Sequence, residues 1–373
     1  MRILMFSWRG PNHPNAGGAE ISTHEHTKGW VKKGHQVSLF TAYFKGAKKE
    51  EIIDGVRIMR KGNQLFGVHV QAFKWYLFQE HPKFDLVIDQ FHGIPFFAPF
   101  YVRGKKLAFI HEVAKDVWQL NEWLFPLNFF ISIVGKFVEP LIFRLYKNIP
   151  FMTVSQSTKK DLIDWGIKKE NVTVIHNGVS VPKITIPNKE KTETVTFLGA
   201  LAKDKGIEKA LEVFKYLKKN YKQKLQFWVI GKCSSNYLDF LKRLSQQLNL
   251  ESIKFWGYVS EKKKFELLAR SHLLVNTSIR EGWGLVVIEA ASMGVPSVAF
   301  NVPGLKDSIV NNTTGILVEG YSTSDLGNNI IKLLEDKKMY NSMCTNAVSW
   351  SKNFSWEKAS SESLKLINRI THH

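Results

Sequence analysis

The sequence is poor in cysteine, in acidic side chains and in long apolar runs. Cys233 and Cys344 are the only cysteines among 373 residues, which excludes a disulfide framework or a four-cysteine zinc site and suits a reducing compartment. The longest apolar stretch, 123–134, contains a proline and an asparagine and is shorter than the ~18 residues that a membrane-spanning helix needs. The opening MRILMFS is too short an apolar run for a signal peptide. We therefore expect a cytoplasmic protein.

Basic side chains dominate the charge. The 52 Lys and Arg outnumber the 33 Asp and Glu and give a formal net charge of +19, spread over both halves of the chain. Such a charge favours anionic partners, among them phosphorylated substrates, lipid head groups and nucleic acid. No helix-turn-helix, RNA-recognition or zinc-finger signature accompanies it, so we expect no nucleic-acid partner.

Short apolar runs alternate with helix-length amphipathic segments, a pattern typical of parallel α/β folds. We predict a first series of strands at 3–7, 36–41, 86–90, 107–111, 151–155 and 172–175, with helices at 19–33 and 157–165. A polar stretch up to 194 predicts a linker. The second series has strands at 194–198, 225–230, 253–255, 273–276 and 297–300, with helices at 207–220 and 237–248.

Two Rossmann-like, doubly wound parallel-sheet domains explain this alternation. We assign residues 1–180 to an N-terminal domain, 190–350 to a C-terminal domain, and 351–373 to a helix that crosses back to the first domain. Ligands of such sheets bind outside the carboxyl ends of the strands. Two domains facing each other would therefore enclose a cleft.

The most informative segment is REGWGLVVIEA at 280–290, which follows a predicted strand and opens a helix. A helix amino end attracts phosphate through its free amides, and Gly282 and Gly284 allow the backbone to approach a ligand closely. With a sugar hydroxyl on Glu281, a diphosphate on the amides and ribose hydroxyls on Glu289, the order along the chain matches a nucleotide sugar.

Two other interpretations of these carboxylates stay open. Glu281 could complement a helix dipole while Glu289 is a solvated helical residue. The pair could instead be the acid and nucleophile of a glycosidase, which requires side chains ~5 to 9.5 Å apart. The glycine-flanked helix start favours phosphate binding over hydrolysis.

The chain resembles the retaining glycosyltransferases of family four, which have the GT-B fold. The family's two glutamates separated by seven residues are present as Glu281 and Glu289, within an EGWG context. Similarity extends over nearly the whole chain and includes NGV at 177–179, FLGALAKDKG at 197–206, Pro296, VPGLKD at 302–307, TGILV at 314–318 and FSW at 354–356.

The resemblance implies that residues 1–180 form the acceptor-side domain and 190–350 the nucleotide-sugar-binding domain. It also implies roles for particular residues. Catalytic residues would be His111, beside the transferred sugar, and Glu281. The donor-binding residues would be Gly17, Gly18, Lys205, Val259, Gly282, Trp283, Gly284, Leu285, Val286 and Glu289. A tight turn alone would explain Gly17 and Gly18, a structural hydrogen bond would explain His111, and solvation would explain Lys205. No Gly-x-Gly-x-x-Gly fingerprint of a nicotinamide enzyme occurs, and we predict no metal ligand set.

The sequence departs from the family at one position of the expected diphosphate site. The family has an arginine after the glycine that corresponds to Gly199, whereas this chain has Ala200. One of the two cations that bind the diphosphate in the family is therefore missing, and Lys205 is the other. Lys203 or a basic residue of the other domain could replace the missing cation.

We predict a metal-independent glycosyltransferase without a cofactor. It would move a sugar, with retention, from a UDP- or GDP-linked donor to a hydroxyl of a glycan or lipid-linked acceptor. Two other classes stay open: a nucleotide-sugar epimerase or hydrolase on the same fold, and a catalytically silent sugar-nucleotide-binding protein.

The aromatic segment 118–146 has two interpretations. As core, it is a buried helix pair beneath the first sheet. As surface, its apolar residues would enter an anionic membrane interface while its cations meet head groups; the residues are Trp118, Trp123, Phe125, Phe129, Phe130, Lys136, Arg144 and Lys147. The second interpretation predicts peripheral association with the inner face of the cell membrane.

Overall fold

The computed structural model describes residues 1–91, 93–120 and 127–372. The chain divides into two compact units. Unit 1 comprises Met1–Gly178 with Ser355–His373, and unit 2 comprises Val179–Phe354. Each unit is an α/β layer structure around its own mostly parallel sheet, so the predicted fold class is confirmed.

The strands of unit 1 are β1 (Arg2–Ser7), β2 (Gln36–Thr41), β3 (Glu50–Ile53), β4 (Val56–Arg60), β5 (Leu86–Phe91), β6 (Lys105–Ile110), β7 (Phe151–Thr153) and β8 (Val172–Val174). The strands of unit 2 are β9 (Glu193–Leu198), β10 (Leu225–Ile230), β11 (Ile253–Gly257), β12 (Leu273–Asn276), β13 (Ser297–Phe300) and β14 (Gly315–Val318). Predicted strands match these within one to two residues. The sequence analysis missed β3, β4 and β14.

The helices are α1 (Gly18–Lys32), α2 (Gly67–Phe78), α3 (Ala98–Tyr101), α4 (Leu127–Leu145), α5 (Gln156–Asp164), α6 (Ile207–Asn220), α7 (Ser235–Gln247), α8 (Glu261–Arg270), α9 (Leu285–Ser292), α10 (Leu305–Ser308), α11 (Thr323–Glu335), α12 (Lys337–Ser351) and α13 (Trp356–His372). Short 3₁₀ turns lie at Lys115–Leu120, Lys169–Asn171 and Lys203–Lys205. None of the helices in the described ranges combines the length and the hydropathy of a membrane-spanning segment.

The sheet of unit 1 has the order β3-β4-β2-β1-β5-β6-β7-β8. Its pairs are parallel except β3 with β4, which form a hairpin around Asp54 and Gly55, both with positive φ. The inner strands β1 and β5 are buried over almost their whole length, as is typical of parallel strands whose two faces are covered, and β5 buries the polar Asp89 and Gln90 as well. In this unit α13 packs on α1, where His26 Nδ1 lies 2.9 Å from Ser363 Oγ.

The sheet of unit 2 has the order β11-β10-β9-β12-β13-β14, and its pairs are parallel. Strands β9 and β12 are neighbours although three helices and two strands separate them along the chain. The strand order reverses between them, which makes their carboxyl ends the topological switch point where α/β sheets bind ligands.

Candidate functional site: the switch point of unit 2

Two loops are locked together at this switch point. The loop after β9 contains Lys205, and the loop after β12 contains Glu281. Between them, Gly206 has φ +71°, and a Cβ at this residue would lie 2.1 Å from the carbonyl oxygen of Thr277. The Thr277 hydroxyl donates to the Gly206 carbonyl at 2.8 Å. Only glycine allows this approach, so the contact fixes the position of one loop relative to the other.

Glu281 is held on both carboxylate oxygens. Oε1 accepts a hydrogen bond from Ser278 Oγ at 2.7 Å, and Oε2 lies 3.1 Å from Lys205 Nζ. The Lys205 and Glu281 side chains keep 22% and 16% of their surface exposed. A ligand can therefore reach both charges, and the structure brings together the two residues that the sequence analysis assigned to the diphosphate and the sugar.

The amino end of α9 lies directly after Glu281. Gly284 caps it with φ +77°, and a Cβ at this residue would lie 2.9 Å from the Leu305 side chain. The first-turn amides of Leu285 and Val286 have no partner inside the helix, and this turn contains no acidic residue. Such a helix end favours an anion.

Glu289 forms a nearly buried ion pair that the sequence analysis missed. Lys264 Nζ of α8 lies 2.8 Å from Glu289 Oε1 and 2.8 Å from Glu261 Oε2. Burial raises the pKa of Glu289, and the Lys264 ammonium opposes this rise. Burial lowers the pKa of Lys264, but Glu289 and Glu261 outweigh it and hold this pKa above its usual value. Lys264 is therefore a buried cation beside the expected ribose-binding carboxylate.

The remaining predicted donor residues of unit 2 are buried or half-buried in this unit. Trp283 is buried, with its ring 5.1 Å from that of Phe354 in a T-shaped contact, so a donor contact from this residue would use its backbone. Gly282 is also buried. Val259 is half-buried against the core beyond β11.

The position of the missing arginine is open to solvent. Ala200 is exposed, as is Lys203. The loop after β10 runs alongside, because the Leu201 N–H donates to the Lys232 carbonyl at 3.0 Å. The Lys232 ammonium lies 5.7 Å from the centroid of the exposed Tyr258 ring. Lys232 is thus a further cation at this edge of the sheet, although no motif around it predicts such a role.

In unit 1, Gly17 and Gly18 lie at the amino end of α1, as predicted, and both are exposed. The Gly17 N–H donates to Glu20 Oε2 at 2.6 Å, and Arg9 Nε lies 2.9 Å from Glu20 Oε1. The buried Glu20 carboxylate thus already binds one amide of this helix end. A ligand phosphate would meet a negative charge here, which favours an uncharged group such as an acceptor hydroxyl.

His111 directly follows β6, which ends one residue earlier than predicted. The residue is buried, its ring lies 4.4 Å from that of Phe109, and its carbonyl accepts a hydrogen bond from Thr158 Oγ1 at 3.0 Å. The Gly17 loop follows β1 and the His111 loop follows β6. Both loops lie at the carboxyl edge of the sheet, where β5 separates the two strands.

Among the described residues, no group of three or more His, Cys, Asp or Glu side chains is arranged to hold a metal ion. The carboxylates at the switch point of unit 2 are instead paired with lysines.

The fold and the switch-point loops define a two-unit GT-B protein. Solved structures with this fold cover almost the whole chain. Sucrose-phosphate synthase from Thermosynechococcus elongatus has a TM-score of 0.82 at 18% identity, covering 99% of this chain and 98% of its own. Anabaena HepE in complex with UDP and glucose has a TM-score of 0.73 at 18% identity, covering 99% and 100%.

Sequence comparison places the chain in a family. The family described as Glycosyltransferase Family 4 matches residues 16–182, and Glycosyl transferases group 1 matches 183–350. An uncharacterized glycosyltransferase of Methanocaldococcus jannaschii is 25% identical over 287 residues, 74% of this chain and 71% of the relative. The capsular polysaccharide biosynthesis glycosyltransferase CapM of Staphylococcus aureus is 31% identical over 208 residues, 50% of this chain and 53% of the relative. The chain belongs to these GT-B glycosyltransferases.

Proposed function

We propose that this glycosyltransferase transfers a sugar, with retention of configuration, from a UDP- or GDP-linked donor to a hydroxyl of a glycan or lipid-linked acceptor. The observation that carries the proposal is the Lys205–Glu281 pair at the switch point of unit 2, next to the amino end of α9. A cation, a carboxylate and free amides within two adjoining loops suit a diphosphate attached to a sugar.

The leaving diphosphate gains negative charge as the glycosidic bond to the donor breaks. In the proposed complex, the Lys205 ammonium and the first-turn amides of α9 stabilise this charge. Both are fixed before the reaction, the lysine by Glu281 and the amides by the cap at Gly284. These groups replace the charge that a metal would supply, and on this ground we propose metal independence.

The two carboxylates have different tasks in this proposal. Glu281 accepts hydrogen bonds from the sugar hydroxyls, in a direction set by Ser278. Glu289 accepts from the ribose hydroxyls, while the Lys264 ammonium opposes the rise in the pKa of Glu289 that burial causes. Val259 and the neighbouring backbone would contact the base. His111 would contact the transferred sugar, an assignment that rests on the family resemblance. The resemblance assigns Gly17 and Gly18 to the donor, whereas the Glu20 carboxylate at this helix end favours an uncharged group such as an acceptor hydroxyl.

Relatives and structural neighbours support this choice of substrates. HepE was solved with UDP and glucose and with UDP-glucose. Staphylococcus aureus TarM, at a TM-score of 0.72 and 16% identity, was solved with UDP and α-GlcNAc-glycerol. CapM is named for capsular polysaccharide biosynthesis. We infer a role in polysaccharide biosynthesis for this chain.

The test is a panel of UDP- and GDP-sugars, incubated with glycan and lipid-linked acceptors in excess chelator, with products analysed by NMR. The proposal expects acceptor-dependent transfer with the donor's anomeric configuration. Donor turnover without acceptor would indicate an epimerase or hydrolase, and binding without turnover would indicate a silent sugar-nucleotide-binding protein. Activity abolished by chelator and restored by magnesium would contradict metal independence.

We also propose that unit 1 binds an anionic lipid surface through α4, which would bring a lipid-linked acceptor to the enzyme. One side of α4 exposes apolar residues four apart: Phe129, Ile133, Phe137, Leu141 and Leu145. The cations Lys136, Arg144 and Lys147 are exposed beside them. An exposed apolar stripe flanked by cations is typical of an interfacial helix.

Part of the predicted membrane segment has another role. Trp118 packs on α4 and donates its indole N–H to Glu139, which removes it from the proposed lipid-facing set. Trp123 and Phe125, with the side chain of Phe130, lie outside the described residues. Co-sedimentation with anionic and neutral vesicles across a salt series tests the idea. We expect Phe137→Ser to weaken binding to anionic vesicles, and no binding at low salt would contradict it.

A further inference from the structure

The inner side of α4 holds the segment that follows His111. Glu139 is buried, and each of its carboxylate oxygens accepts one backbone N–H: Oε1 from Ala114 at 2.7 Å and Oε2 from Lys115 at 3.0 Å. Oε2 also accepts the indole N–H of Trp118 at 2.8 Å. A single carboxylate thus binds three donors within the eight residues after the strand.

Two smaller α4 residues complete this contact. A Cβ at Gly135 would lie 2.4 Å from the Trp118 ring, so the indole packs directly on the helix backbone at this glycine. The Ser132 hydroxyl donates to the Trp118 carbonyl at 2.9 Å. Ser132, Gly135 and Glu139 recur at intervals of three and four residues and therefore share one side of α4.

The held backbone is strained at one residue. Lys115 has φ +39°, a left-handed conformation that is unfavourable for a non-glycine residue and persists only when its surroundings enforce it. Its amide is bound by Glu139, and its ammonium pairs with Asp161 of α5. Upstream, α5 also binds the His111 carbonyl through Thr158. Helices α4 and α5 thus fix both ends of the turn that begins at His111.

We propose that Glu139 is a positioning residue for His111. Both carboxylate oxygens of Glu139 bind backbone or indole donors of this turn, so we assign Glu139 no contact with the substrate. It fixes the backbone three residues beyond the imidazole and so sets the direction in which this side chain leaves the sheet edge. The inference rests on the proposed role of His111 at the transferred sugar.

The chemistry of the three donors requires a carboxylate. Replacing Glu139 by glutamine turns one acceptor oxygen into an NH₂ group that faces N–H donors, which costs hydrogen bonds and leaves a buried amide without an acceptor. Because a displacement of ~1 Å at a reacting group costs on the order of 10²-fold in rate, we expect Glu139→Gln to lower kcat by about 10- to 100-fold. The KM for the donor and the Kd for UDP or GDP should stay within about twofold, since those contacts lie in unit 2.

The decisive experiment is a double-mutant cycle on kcat with the donor that the panel identifies, using wild type, Glu139→Gln, His111→Ala and the double variant. If Glu139 acts through His111, Glu139→Gln has no further effect in the His111→Ala background. Equal losses in both backgrounds would overturn the inference, because a general structural defect is additive. Glu170→Gln, an exposed isosteric change in the same unit, is the matched control and should leave kcat unchanged.

Two further measurements keep the inference testable. If Glu139→Gln does not fold, Trp118→Phe removes one of the three donors but keeps a ring over Gly135, and it should lower kcat by a few-fold, again only when His111 is present. Amide exchange of the segment 111–118 should accelerate in either variant, and unchanged exchange would count against the proposal. Full activity of His111→Ala would refute the role of His111 and this inference with it. Loss with His111→Ala but none with Glu139→Gln would refute the inference alone.

Discussion

The two units use carboxylates at their sheet edges in different ways. In unit 1, Glu20, Asp89 and Glu139 bind backbone amides: Gly17 at 2.6 Å, Phe96 and Ala98 at 3.0 and 3.1 Å, and Ala114 and Lys115 at 2.7 and 3.0 Å, respectively. In unit 2, Glu281 and Glu289 bind the ammonium groups of Lys205 and Lys264.

The difference separates carboxylates that fix loops from carboxylates that can bind a ligand. A backbone amide cannot leave its partner without moving the loop. A lysine ammonium has three N–H donors, so it can bind a phosphate or hydroxyl while it stays paired with its carboxylate. Burial raises the pKa of Asp89 to about 6 even though Tyr146, Phe96 and Ala98 donate to it. The comparison therefore predicts that donor chemistry depends on the lysine pairs of unit 2.

The largest effect should come from Lys205→Met. Without the ammonium, the leaving diphosphate loses a fixed positive charge, and removal of one such group typically costs 10²- to 10³-fold in kcat. Steady-state kinetics with the identified donor measures this change. Lys209→Met, on the exposed side of α6 where Lys209 pairs with Glu212, is the matched control. A Lys205→Met enzyme with near-normal kcat would remove the proposed role of this pair.

Glu289→Gln should weaken UDP or GDP binding by about 10- to 100-fold, because hydrogen bonds to a charged acceptor are worth roughly 1.5–3 kcal/mol. The fold should be retained, since Lys264 keeps Glu261 as a partner. Isothermal calorimetry gives the affinity, and the circular dichroism spectrum verifies the fold. Unchanged affinity in a folded variant would refute the ribose assignment.

Lys264→Met should make nucleotide binding dependent on pH. Burial already raises the pKa of Glu289, and Lys264 opposes this rise while Glu261 adds to it, so removing the ammonium lets the pKa rise further. As pH falls, the carboxyl of the variant is protonated earlier than that of the wild type and becomes a poorer acceptor. Calorimetry should be run from pH 8 down to pH 5.5. As the pH is lowered, nucleotide affinity should begin to fall at a higher pH in Lys264→Met than in the wild type. Parallel curves would show that Lys264 does not control this ionisation.

The smallest effect should come from Ala200→Arg. The exposed Ala200 leaves room for a side chain beside Lys203 and Lys232, and a guanidinium there would add a second cation to the diphosphate site. We expect UDP or GDP to bind several-fold more tightly, since an exposed ionic contact is worth at most about 1 kcal/mol. No gain would indicate that another cation, such as Lys232, already fills this place.

Much of the fold could be predicted from sequence periodicity because the central strands are continuous apolar runs. Strands β2, β10, β12 and β13 have the predicted bounds. The hairpin of β3 and β4 was missed, although its Asp54-Gly55 turn between alternating residues is a strong hairpin signal. The polar outer strand β3 lacks the apolar run on which the prediction relied.

The site was predictable where a backbone requirement left a mark in the sequence. Glycines 206, 284 and 304 have positive φ and contact neighbouring loops closely, so their positions are visible as a motif. The partners of the carboxylates were not predictable, since a lysine on a distant helix carries no local sign of its contact. Lys264 gave one hint: it shares a helix side with the buried Leu267 and Leu268.

The donor site is best tested by comparing Glu281→Gln with Glu289→Gln for both UDP or GDP affinity and transfer rate. We expect the two variants to differ in which of these properties they lose. Glu281→Gln keeps nucleotide affinity within about threefold but loses transfer by on the order of 10²-fold, because its contact is with the sugar. Glu289→Gln should mainly lose affinity for UDP or GDP. Equal losses of affinity and transfer in both variants, or none in either, would contradict the assignment of the switch point of unit 2 as the donor site.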